Sequence, residues 1–179
     1  ALHYIGKDAY SNDPADYKLA ADMLAKVRKD VRLFSSTMID DISSGKACVA
    51  IGWSGDINIA ATRAQENKSK DVIEALLPST GALIFFDTMA ITKDAKHPKN
   101  ANAFIDFYLR PENAAAMANE MTYPTGNIAA MDKIDPKISG NKTIFVESAY
   151  LEKMIPPSSF TNEAREAMAN AYNGFKKGK

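Results

Sequence analysis

The sequence has few of the residues that usually carry metal or redox chemistry. Its 179 residues include one cysteine, Cys48, and two histidines, His3 and His97. A single cysteine excludes an intramolecular disulfide, and these three residues do not have the spacing of metal ligands. The glycine-rich phosphate motifs G-x-x-x-x-G-K-[ST] and G-x-G-x-x-G are also missing. We therefore predict no metal and no cofactor, and we predict that Cys48 is a small buried hydrophobe.

The sequence also lacks net charge and long apolar runs. Lys+Arg 22 balance Asp+Glu 22, so nothing points to a nucleic-acid partner. The longest apolar-rich stretch, residues 81–91, is interrupted by Asp87 and is too short to cross a membrane. The chain starts at Ala1 without a signal peptide, so we expect a mature chain or an internal fragment. The 46% hydrophobic and 25% charged composition is that of an ordinary globular protein.

Helix signals alternate with short apolar runs along the chain. The first predicted helix starts at Asp13-Pro14. Further helices are predicted over residues 38–44, 57–67, 100–109, 111–120 and 161–175. Predicted strands cover residues 31–34, 47–52, 71–77 and 81–91. The continuous apolar run 47–52 is typical of a strand that is buried on both faces. Residues 132–160 have no regular pattern, and the whole order predicts an α/β architecture.

Residues 52–56, Gly52-Trp53-Ser54-Gly55-Asp56, nearly match the nucleophile elbow G-x-S-x-G. The second glycine stands one position early, and Asp56 occupies its place. A catalytic triad would also need a histidine after the serine, and His97 is the one candidate. We predict that the protein is not an enzyme, and an α/β hydrolase using Ser54 stays as the less favoured alternative.

The same segment places an aromatic ring near a carboxylate, an arrangement that suits an organic cation. The carboxylate pairs with the charge, and the ring attracts it through its quadrupole. Trp53 and Asp56 follow a predicted strand, and ligand sites form at the ends of parallel strands. Two other interpretations remain open, in which Trp53 is a core residue and Asp56 is the N-cap of a helix starting at Ile57.

Phe85, Phe86 and Asp87 repeat this pattern further along the chain. The two rings could simply alternate between core and surface. A carboxylate inside an apolar strand must be paired or hydrated, because burying it bare costs several kcal/mol. Tyr123 lies in the turn-rich loop 123–127 and is either an ordinary loop aromatic or a third contributor to the same site.

Several segments together resemble one known family: residues 2–8, 13–17, 48–56, 85–87, 109–111 and 123–130. They are similar to the periplasmic polyamine-binding proteins of bacterial ABC importers, and the putrescine-binding branch is the most similar. The similarity covers most of the chain and is stronger up to about residue 130 than beyond it. The combination is specific, although no single motif in it is.

The resemblance implies a type II periplasmic binding fold, in which two α/β lobes close over a ligand in their cleft. It also implies that the chain is about half of such a protein and lacks most of the first lobe. Residues 1–77 would form the second-lobe core, and residues 78–120 would return to the first lobe. Residues 121–179 would form the hinge and the C-terminal part of the second lobe. Domain swapping or oligomerisation could then cover the apolar surface left by the absent half.

The resemblance also implies a role for each candidate residue. Trp53 would be an aromatic wall, Asp56 would hold one ammonium end of the ligand, and Asp87 would be the second carboxylate. Phe85 would pack on the methylene chain, and Tyr123 would be a further aromatic near the hinge. The chain departs from the family pattern at Asn58, where putrescine binders often carry a bulkier aromatic.

These roles imply a solute-binding subunit in the periplasm. Its ligand would be a polyamine, either a putrescine-like diamine or spermidine, delivered to the membrane subunits of an ABC importer. The alternative within the same fold is a protein that binds another organic cation, an amino acid or a sugar.

Overall fold

The computed structural model describes residues 1–178, and its regular structure is mainly helical. The α-helices of this range are α1 (Pro14–Ala25), α2 (Met38–Ser43), α3 (Ser54–Glu66), α4 (Pro98–Tyr108), α5 (Pro111–Met121), α6 (Pro136–Ser139), α7 (Ser148–Leu151) and α8 (Asn162–Lys177). Short 3₁₀ helices cover His3–Ile5, Arg28–Asp30 and Ile128–Lys133. None of the helices in residues 1–178 is long and apolar enough to cross a membrane.

The longer helices begin and end at the local signals that predicted them. The Asp13 carboxylate accepts a hydrogen bond from the Ala15 N–H at 2.9 Å at the start of α1. The Thr161 hydroxyl accepts one from the Ala164 N–H at 3.1 Å at the start of α8. Helix α2 ends just before Gly45, which adopts φ +73°. These predictions are confirmed, with two shifts at the N-termini: α3 begins at Ser54 rather than at Ile57, and α4 begins at Pro98 rather than at residue 100.

The predicted strands do not form a sheet within residues 1–178. The β-pairing found there is an isolated parallel bridge between Leu83 and Ile155. The Ile84 N–H donates to the Ile155 carbonyl at 3.0 Å, and the Ile155 N–H donates to the Ala82 carbonyl at 2.9 Å. A strand needs a neighbour for its backbone donors and acceptors, and the described residues offer the other predicted strands no such neighbour.

Two burial predictions were wrong for the same reason. In the apolar run 47–52, Val49 is 86% exposed and Ile51 is fully exposed. Cys48 in that run is exposed too. An apolar run shows that a segment is suited to burial, but it does not show what covers the segment.

The chain divides into two compact units. Unit 1 contains Ala1–Ser36, Pro78–Phe85 and the described residues from Lys153 onward. Its helices α1 and α8 pack together around a cluster of apolar residues: Leu2, Tyr17, Ala20 and Ala164. The Arg28 Nε donates to the Phe175 carbonyl at 2.7 Å and so satisfies an acceptor in the last turn of α8.

Unit 2 contains Thr37–Leu77 and Phe86–Glu152. In it α2 packs on α3, and α5 packs on the 3₁₀ helix Ile128–Lys133. The core beside α5 consists mostly of small residues: Ala114, Ala115, Ala118, Ala130 and Ile134. The predicted lobe segments 1–77, 78–120 and 121–179 refer to a larger two-lobed fold and stay a prediction.

Candidate ligand-binding site

The first turn of α3 carries two of the predicted site residues. Trp53 precedes the helix at its N-cap position and is 53% exposed, so it is not a core tryptophan. Asp56 is the third residue of the helix, in the turn where the helix dipole stabilises a negative charge. The interpretation of Asp56 as the N-cap is wrong, because Trp53 occupies that position.

Tyr123 contacts this turn directly. Its hydroxyl donates to Asp56 Oδ1 at 2.9 Å, and the side chains of this pair are partly buried. Its ring lies so close to Gly55 that a Cβ at that position would overlap the ring carbons. Gly55 therefore lets the phenol approach the helix, and the phenol in turn reaches the carboxylate of the next residue.

Thr122 fixes the direction from which Tyr123 approaches. It ends α5 with φ +53°, a left-handed conformation that non-glycine residues rarely adopt. Its buried hydroxyl donates to the Gly55 carbonyl at 2.9 Å. The end of α5 is thus attached to the start of α3, and the chain leaves α5 with Tyr123 pointing at Asp56. No sequence signal identified Thr122, because the conformation is unusual for threonine.

A second carboxylate acts on the same phenol. Burial raises the pKa of Tyr123 well above its usual range, the hydrogen bond and charge of Asp56 raise it further, and the charge of Asp87 adds a smaller effect. Tyr123 is therefore a protonated donor at neutral pH. Asp87 itself is exposed, which avoids the cost of burying an unpaired carboxylate in an apolar segment. Unit 2 thus joins Asp56 and Tyr123 by a hydrogen bond, and the charge of Asp87 acts more weakly on the same phenol.

Phe85 is the one predicted site residue that does not belong to unit 2. It belongs to unit 1 and is 47% exposed, whereas the other four predicted site residues belong to unit 2. The roles of all five residues in binding stay predictions. For Phe85, the structure shows only that the side chain is partly exposed.

Asn58 joins a polar cluster that the sequence did not indicate. Its Nδ2 donates to the Ser54 carbonyl at 2.8 Å and to Thr143 Oγ1 at 3.0 Å. Its Oδ1 accepts from Asn141 Nδ2 at 2.9 Å, and Thr143 Oγ1 donates to Asn141 Oδ1 at 2.8 Å. We call Asn58, Asn141 and Thr143 the amide cluster. Asn58 lies 83 positions from Asn141 and 85 from Thr143, so no local pattern connects it to them.

The residue types at this candidate site are suited to binding a cation. Two carboxylates supply acceptors, and aromatic rings supply electron-rich faces. Within residues 1–178 no group of three or more His, Cys, Asp or Glu residues is placed to hold a metal ion.

The solved structures include a close match to this fold. The spermidine/putrescine ABC transporter substrate-binding protein PotD from Streptococcus pneumoniae superposes with a TM-score of 0.76 at 23% identity. The match covers 99% of this chain and 53% of that chain. These residues therefore share the fold of the corresponding half of that chain.

Curated sequences give a consistent result. The putrescine-binding periplasmic protein SpuD of Pseudomonas aeruginosa is 35% identical over 100% of this chain and 49% of its own length. The putrescine-binding periplasmic protein PotF of Escherichia coli is 38% identical over 80% of this chain and 40% of its own length. The chain spans about half the length of these relatives. The family model of bacterial extracellular solute-binding proteins matches residues 1–145, and the chain belongs to that family.

Proposed function

We propose that this chain is part of a periplasmic solute-binding protein that captures a polyamine and delivers it to an ABC importer. The preferred ligand is a putrescine-like diamine or spermidine, bound in a cleft between two lobes. The relatives named above are putrescine-binding proteins, and this chain shares their family. On this proposal the chain supplies the second lobe and a returning segment of the first.

The observation that carries the proposal is the hydrogen bond between Asp56 and Tyr123, with the charge of Asp87 acting on the same phenol. A diamine has two hydrated ammonium groups, and removing each from water needs an acceptor of opposite charge. Asp56, bonded to Tyr123, and Asp87 of the same unit supply two such acceptors. A neutral sugar would leave both charges unused, which argues against that alternative ligand.

Asp56 can accept an ammonium group without losing Tyr123. The phenol uses one lone pair of Oδ1. A carboxylate has two oxygens and about four acceptor positions, so Oδ2 remains for the ligand. Tyr123 then orients the carboxylate, and Trp53, half exposed beside it, offers a ring face. Each cation–π contact contributes about 0.5–2 kcal/mol, more when water is excluded.

The class of ligand is tested by ligand-dependent melting of the full-length protein. Putrescine, cadaverine, spermidine, an amino acid panel and a sugar panel are compared at equal concentration. Polyamines should raise the melting temperature, because a ligand that binds only the folded state stabilises it. A shift with amino acids or sugars and none with polyamines would contradict the proposal.

The role of Asp87 is tested by Asp87→Asn in the full-length protein. The change keeps the shape of the side chain and removes one acceptor charge, so putrescine should bind at least about tenfold more weakly. Asp94→Asn is the matched control, because Asp94 is another exposed carboxylate of unit 2 in a turn nearby. Equal affinity of the wild type and Asp87→Asn in calorimetry would remove Asp87 from the site.

The enzyme alternative has its own test. An α/β hydrolase would use Ser54, the first residue of α3, as its nucleophile. We expect no hydrolysis of a simple ester by the wild type. Activity that is lost in Ser54→Ala would favour the enzyme instead.

A further inference from the structure

The first turn of α3 is attached to the rest of unit 2 at two places. One attachment is the end of α5, through Thr122 on Gly55 and Tyr123 on Asp56. The other is the amide cluster, which reaches the Ser54 carbonyl through Asn58. The turn that carries Trp53 and Asp56 is therefore held by side chains from two separate segments.

The Asn58 side-chain amide makes three hydrogen bonds in this cluster. Both kinds of group on its amide are engaged, with Nδ2 donating twice and Oδ1 accepting once. An aromatic ring at this position would leave the polar groups of Asn141 and Thr143 without their partner, which is costly in a partly buried place. Asn58 is thus matched to Asn141 and Thr143.

The far side of the cluster is itself anchored. The turn that contains Asn141 and Thr143 continues into Ile144, which is 3% exposed, and Phe145, which packs on the core beside α5. The Phe145 N–H also donates to the Asn141 carbonyl at 2.8 Å. Because this turn is itself bonded and packed on the core, it can hold the start of α3 in place.

We propose that Asn58, Asn141 and Thr143 are positioning residues that hold the first turn of α3 in the geometry that ligand binding by Asp56 requires. They act through the helix and do not touch the ligand. The effect on ligand rests on the proposed function, whereas the effect on the helix turn does not.

The test compares Thr143→Val with Thr143→Ser in the full-length protein. Valine has the shape of threonine but lacks the hydroxyl that connects Asn58 to Asn141. Serine keeps that hydroxyl, so Thr143→Ser should behave like the wild type in both amide exchange and ligand binding. The first readout is hydrogen exchange of the amides of residues 57–60 without ligand, with residues 61–66 of the same helix as the internal reference.

Thr143→Val should speed exchange at residues 57–60 by about three- to tenfold, the value of one hydrogen bond, and leave residues 61–66 unchanged. The same variant should weaken putrescine binding by about three- to tenfold, and Thr143→Ser should restore both readouts. Unchanged exchange in Thr143→Val, or equal acceleration along the whole of α3, would overturn the proposal. If the wild type binds no polyamine, the proposed function fails, and the exchange result still decides whether the cluster holds the turn.

Discussion

For Gly55→Ala, helix propensity and the structure predict opposite changes in the free energy of unfolding. Alanine is favoured over glycine inside a helix by about 1 kcal/mol, so propensity alone predicts a more stable protein. In the structure the new Cβ would overlap the ring of Tyr123. The ring would have to move, and its hydroxyl bond to Asp56 would lengthen or break.

The expected magnitude follows from these opposing effects. Inserting a methyl group into a packed contact costs about 1–3 kcal/mol. Weakening a hydrogen bond to a carboxylate costs about 1 kcal/mol more, given that the intact bond contributes about 1.5–3 kcal/mol. The gain from propensity is smaller than their sum. We therefore expect the free energy of unfolding to fall by about 1–3 kcal/mol.

Urea unfolding followed by the fluorescence of Trp53, two residues away and the one tryptophan of this sequence, measures the effect in unit 2. Gly126→Ala is the control, since a Cβ there has nothing within 4 Å. It should change stability by less than about 0.5 kcal/mol. A Gly55→Ala variant as stable as the wild type, or more stable, would refute the close approach of Tyr123.

Three further changes are measured by urea unfolding. Tyr123→Phe should lower the free energy of unfolding by about 1–2 kcal/mol through loss of the bond to Asp56, and no change would contradict that bond. Asp16→Asn should destabilise unit 1 at neutral pH, because Lys7 at 2.8 Å lowers the pKa of Asp16. That stabilisation is present above about pH 4 and is lost as the pH falls through the folded-state pKa, so the variant should lose less stability in acid than the wild type. An equal acid loss in both would contradict it. Thr161→Ala should cost about 1 kcal/mol and Thr161→Ser much less; equal costs would exclude the hydroxyl cap.

Local chemistry made the helices predictable. Asp13 before a proline, Thr161 before a polar helix and Gly45 after an apolar turn act within a few residues, so sequence alone identifies them. The start of α3 was the exception. Trp53 gives no side-chain cap to α3. The candidate cap Asp56 therefore predicted a start at Ile57, three residues too late.

Pairing across the chain could not be predicted in the same way. The segments 47–52 and 71–77 have apolar strand composition, yet the described residues leave Ile51 and Val72 exposed. Their apolar composition indicates that these segments are suited to burial, but it does not identify the segments that would cover them. Sheet formation is decided by those neighbours, and helix formation largely is not.

The residue types of the site could be predicted from the sequence, but its long-range contacts could not. Residue types suited to a cation identified Asp56, Asp87 and Tyr123 as candidates, and the structure bonds two of them, Asp56 and Tyr123, to each other. Thr122 and Asn141 were missed, because their importance lies in bonds to residues 67 and 83 positions away. Such contacts depend on how α5 and the 141–143 turn meet α3, which only the folded chain shows.

The central claim is that two carboxylates hold the two ends of one diamine. Calorimetric titration of the full-length protein with putrescine and with 1-butylamine, which has one ammonium group on the same four-carbon chain, tests it most directly. Putrescine should bind at least about tenfold more tightly than 1-butylamine, and Asp87→Asn should shrink that difference. Equal affinities for the diamine and the monoamine in the wild type would contradict the account.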